Sequence, residues 1–152
     1  MRILKRAQAG NAILELALIL PLLIVLSLGT ADFGRLVVLK MAVQDAAYAG
    51  ANFSSERALR DAACPPAIDL PGAESAATKT FADHASGFGV QAAVACSGTT
   101  AGTLTDAAAC GCASGIGTFV RVTASAPFHT LGSYPWFPSS SRVSASSIVR
   151  VR

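Results

Sequence analysis

The chain has 152 residues, 52% of them hydrophobic and only 14% charged, enough for an apolar segment plus one small domain. Its net charge of +3 vanishes once Arg2, Lys5 and Arg6 are set aside, since nine basic residues then face nine acids. The surplus is therefore local to the N-terminus and gives no case for nucleic-acid binding.

Ala12 to Ala31 form a near-continuous apolar run, interrupted by one acid, Glu15. A helix of about 20 residues, at about 1.5 Å each, covers the roughly 30 Å of a bilayer core. The basic residues precede the run and no acid does. Cationic flanks stay on the cytoplasmic side, so residues after about Asp32 are expected outside the cytoplasm.

The helix is expected to continue past the run, from near Asn11 into the fifties, with Pro21 as a point for a kink. Phe33, Leu36, Val37, Lys40, Val43, Gln44 and Ala47 follow helical spacing. Ala42, Ala46 and Gly50 recur every four residues, a small-residue stripe that permits close approach of another element, or simply an Ala-rich helix. Cys64-Pro-Pro and Leu70-Pro-Gly mark a connector. Residues 72–86 read as a second helix with Phe81 and Ala85 inward and Gly87 as its stop.

The last third alternates with period two. Val90, Ala92, Val94 and Cys96 form one set, Val120, Val122, Ala124, Ala126 and Phe128 a second, and Val143, Ala145, Ser147, Val149 and Val151 a third. Such alternation predicts half-buried strands. The expected fold is α+β: a long N-terminal helix, transmembrane and then protruding, packed on an antiparallel sheet of about three strands.

Four cysteines, Cys64, Cys96, Cys110 and Cys112, fall in the expected external part and predict two disulfides. Zinc is the rival, but the Cys110-Gly-Cys112 spacing is tighter than structural zinc sites use. Cys96 ends the first strand and Cys110 and Cys112 precede the second, so one of these two is its natural partner, leaving Cys64 to the other. A Cys110–Cys112 bridge is disfavoured by proximity.

Catalytic motifs are absent: no nucleophile elbow, phosphate loop, metalloprotease helix or dinucleotide fingerprint occurs. His84 and His129 lie in different elements, and Asp83 beside His84 points elsewhere on a helix. The expectation is a non-enzyme without cofactor or metal. Tyr134, Trp136 and Phe137 sit between prolines in a strand connection, where exposed aromatics would form a contact surface. The competing reading folds Trp136 and Phe137 back onto the sheet.

Glu15 is costly in an apolar segment, unless it reaches water at the cytoplasmic interface. Its distance from Gly10 suggests another role. A cut after Gly10 would make Glu15 the fifth residue of the mature chain and give Asn11 a new α-ammonium. Acid and amine could neutralise each other in low dielectric, including between neighbouring subunits.

Gly10 followed by an apolar helix with Glu15 at the fifth position resembles the prepilin-type processing signal. Glu15-Leu16-Ala17-Leu18, Leu20-Pro21-Leu22-Leu23, Asp32-Phe33-Gly34-Arg35 and Val43-Gln44-Asp45-Ala46-Ala47 resemble the TadE-like family of tight-adherence pilus assembly. Phe119-Val120-Arg121-Val122, Pro127-Phe128 and the closing strand ending in Arg fit it more loosely. The resemblance implies a pilin-like fold and a minor pilin-like subunit, or pseudopilin, for building Flp-type pili. It implies a leader of residues 1–10 removed by a prepilin peptidase, a membrane half over 11–31 and an extracytoplasmic domain over 32–152. The implied partners are the bacterial inner membrane, the peptidase, other pilin-like subunits and pilus assembly proteins, and the implied location is a single pass with the domain periplasmic, with incorporation in pili open. Carried over by position, the cut lies between Gly10 and Asn11 and Glu15 is the recognition and packing acid. Leu16 departs from the family, where an aromatic is common. The larger TadG-like proteins share the motif but carry a bigger external domain. The alternatives are a secreted soluble protein cut near Ser27-Leu28-Gly29, a signal-anchored periplasmic protein unrelated to pili and, less favoured, a membrane-anchored enzyme.

Overall fold

A computed structural model describes the backbone of residues 2–60, 67–81, 86–97, 104–107, 110, 117–132 and 138–151, and side chains within these except 2–11, 59 and 104–107. Helix α1 (Arg2–Arg60) runs unbroken through both the basic N-terminus and Pro21. It therefore begins earlier than Asn11. The residues before Gly10 are good helix formers, and a single glycine costs only about 1 kcal/mol.

The helix has two halves with different surroundings. Residues 12–31 are exposed almost throughout, and the first buried side chain is Asp32. Beyond it Val43, Ala46, Ala47, Ala51 and Ala58 enter the core. The inward face is rotated from the spacing read in the sequence, because Phe33, Lys40 and Gln44 point outward. Burial follows the small residues instead, which let the neighbouring elements approach.

Helix α2 (Leu70–Phe81) lies against α1. It starts two residues before the expected Gly72, because Asp69 caps it: Gly72 N–H donates to Asp69 Oδ1 at 2.9 Å. Pro71 is tolerated in the first turn, where its missing N–H is no loss. Ala73, Ala77 and Phe81 are buried as expected of the inner face, and Ala85 lies outside the described residues. The Phe81 ring stacks on Phe88 with centroids 4.1 Å apart. Gly87, with φ of +91°, supplies the left-handed turn into the sheet.

The sheet contains β1 (Gly89–Ser97), β2 (Leu104–Ala107), β3 (Thr118–His129) and β4 (Ser140–Arg150). Its spatial order is β2-β1-β3-β4, all neighbours antiparallel. The three expected strands are present and adjacent in the expected order. The fourth, short β2, occupies the edge and comes from a segment read as loop. Where β2 is too short to reach, Glu74 of α2 accepts the N–H of Ala92 at 3.1 Å and covers the edge.

On the inner face Val120, Val122, Ala124 and Ala126 are fully buried under α1 and α2. β3 alternates buried and half-buried residues, and β4 exposed and half-buried ones. Val151 closes the core, its N–H donating to Thr118 O at 2.8 Å.

Candidate functional site

Three features along α1 bear on function: the stretch around Gly10 and Glu15, the uncovered apolar half, and the junction where the folded part begins. Gly10 and Asn11 lie inside the helix, so Glu15 follows Asn11 by little more than one turn, about 6 Å of rise. Glu15 itself is exposed. The apolar half is one helix long and apolar enough to cross a membrane, with none of its most apolar window buried in the fold. Ile13, Leu14, Leu18, Leu22 and Leu26 are all largely exposed. Surface of this kind, contiguous over some 20 residues, requires a lipid or protein cover.

At the junction, Asp32 is 6% exposed. Leu131 N–H donates to both its carboxylate oxygens, at 2.9 and 3.1 Å. The Arg35 guanidinium stands 3.5 Å from the same carboxylate, one helical turn on, and 6.0 Å over the Phe128 ring. A buried carboxylate needs such partners, because leaving its charge unpaired would be costly. Asp32 thus fastens the turn after β3 to α1 at the residue where the apolar run stops. Beside it, a groove of about 620 Å³ opens between helix and strand, lined by Gly34, Arg35, Val38, Pro127, Phe128 and His129, among others.

The stripe at the upper end of the helix is a packing device. A Cβ added at Gly50 would come within 2.8 Å of Ala73 O and 3.2 Å of Ala77 Cβ and Val122 Cγ1. Gly50 is thus a point of close approach between α1, α2 and β3.

Residues 10–52 match the family model described as TadE-like protein. The matched segment is similar to that family. It begins at Gly10, takes in Glu15, the apolar half, Asp32, Arg35 and Gly50, and stops at Asn52. The match is consistent with a protein associated with the Tad pilus, and the apolar half of the TadE-like segment with membrane anchoring. No curated protein and no solved structure matches the chain.

The remaining sequence candidates divide. Cys96 is bonded to Cys110, with Cα atoms 5.5 Å apart. Cys64 and Cys112 lie outside the described residues, as do Tyr134, Trp136, Phe137 and His84. His129 is exposed at the end of β3. Among the described residues no group of three or more His, Cys, Asp or Glu is placed to hold a metal ion. Asp32 is the residue that sequence reasoning passed over. It entered only within the Asp32-Phe33-Gly34-Arg35 resemblance, and its one independent signal is an acid standing where an apolar run ends.

Proposed function

We propose that the chain is a minor pilin-like subunit required to build Flp-type, tight-adherence pili. It is held in the bacterial inner membrane with its N-terminus cytoplasmic and its α+β domain periplasmic, and it is not an enzyme. The observation that carries this reading is the TadE-like match over residues 10–52, which begins at the glycine of the processing motif. The uncovered apolar half of α1 supports it.

In this reading a prepilin peptidase cuts between Gly10 and Asn11, removing the basic leader. The new α-ammonium of Asn11 lies about one helical turn from the Glu15 carboxylate. Within the bilayer the pair neutralises, either in one chain or between subunits side by side, where low dielectric strengthens the attraction. Insertion and assembly then separate in a testable way. Glu15→Ala makes the segment more apolar, so insertion is retained, but the partner of the amine is lost. A deletion strain complemented with Glu15→Ala is expected to hold the protein in the membrane fraction and to yield few sheared pili. Normal piliation in that strain would contradict the assembly role. The Tyr134-Pro-Trp136-Phe137 connection is proposed as a contact for other pilus components.

A further inference from the structure

We propose that the groove between α1 and the end of β3 seats a bilayer phospholipid, with Arg35 on its phosphate and the Thr130–Gly132 turn lying in the headgroup layer. The proposal rests on the membrane reading above. If residues 12–31 fill the hydrocarbon core, Arg35 stands four residues past its edge, about 6 Å out. The headgroup layer on each side is about 5–8 Å thick. Arg35 therefore falls inside that layer. Asp32 holds the turn after β3 at the same height through its two bonds from Leu131 N–H. The domain is thus set down on the membrane surface and not carried away from it on a stalk.

The side chains at that height suit an interface. Leu131 is 61% and Phe33 66% exposed, an uneconomical placement in water but a favourable one among glycerol and proximal acyl carbons. The groove beside the Asp32–Leu131 bond is walled by Gly34, Val38, Pro127 and Phe128, with Arg35 in its lining. Arg35 is half-exposed, and its contact with Asp32 engages one nitrogen at 3.5 Å, leaving donors for a phosphate. A protein neighbour would need to match this mixture of apolar wall and single cation, whereas a phospholipid offers both parts and is already present at that depth.

The test uses the full chain in nanodiscs and single-tryptophan variants. Trp136, the chain's one tryptophan, is replaced by Phe, and a reporter is introduced as Leu131→Trp or, as a control, Leu22→Trp. Both positions are exposed, so neither replacement disturbs packing. Phospholipids brominated at graded depths then quench each reporter. The expected result is strong quenching of Leu131→Trp by bromine nearest the headgroup and of Leu22→Trp by deeper bromine. If the Leu22→Trp reporter is quenched and the Leu131→Trp reporter is not, the proposal is overturned while the membrane reading stands. If neither is quenched, the membrane reading falls and takes the proposal with it. In mixed discs, Arg35→Gln is expected to lower the preference for phosphatidylglycerol over diacylglycerol, which lacks the phosphate, about fivefold, the scale of one basic residue at an anionic surface. An unchanged preference would remove Arg35 from the phosphate site.

Discussion

Replacing Gly50 by alanine sets two effects against each other. In an exposed helix the change is favourable by about 0.8–1.0 kcal/mol, because alanine loses less backbone freedom on folding. At Gly50 the added methyl would stand 2.8 Å from the backbone oxygen of Ala73 and 3.2 Å from Ala77 Cβ and Val122 Cγ1. The nearest atom is main chain of α2, so relief requires the two helices to separate. Overpacking of this kind costs about 1–3 kcal/mol. The clash wins, and Gly50→Ala is expected to lose about 1 kcal/mol net, with Gly50→Val losing more because its branched side chain adds bulk and forfeits helix propensity. Urea denaturation of the purified protein in detergent, followed by far-UV circular dichroism, reads the difference. A Gly50→Ala protein more stable than wild type by about 1 kcal/mol would refute the reasoning, since it would show propensity acting with no steric opposition.

Asp32→Ala is expected to cost about 1.5–3 kcal/mol, the scale of hydrogen bonds to a charged group, and Asp32→Asn less because one acceptor remains. Hydrogen exchange at the Leu131 amide checks it, and unchanged protection in Asp32→Ala would count against the junction. Reduction of the Cys96–Cys110 bridge, or its replacement by two serines, is expected to cost about 3 kcal/mol, the value for a closed loop of some 15 residues. A melting temperature insensitive to reductant would argue that this bridge does not constrain the unfolded chain.

Much of the architecture is legible in the sequence because two periods are strong. Val120 to Phe128 and Val143 to Val151 alternate without a break, and both sets line or border the core. The apolar run needs only its length. Other features depend on contacts that no local pattern encodes. β2 spans four residues, Leu104–Ala107, too few for alternation to register, and it exists because β1 offers an edge from Val94 to Ser97. The start of α2 is set by a cap from Asp69, a residue that reads as part of a Pro-rich connector. The outward turn of Phe33 follows from where the sheet sits on α1. The bond between Asp32 and Leu131 joins positions 99 residues apart, and nothing near either residue announces the other.

Processing like a prepilin before assembly is read from the N-terminus of the membrane-extracted protein by mass spectrometry. Cleavage predicts a mature chain beginning at Asn11. It also predicts that Gly10→Leu, which places a bulky side chain where the peptidase must reach the backbone, leaves the leader attached. An intact Met1 or Arg2 in cells containing the peptidase would contradict such processing, and a chain beginning at Thr30 would replace it with cleavage by a signal peptidase.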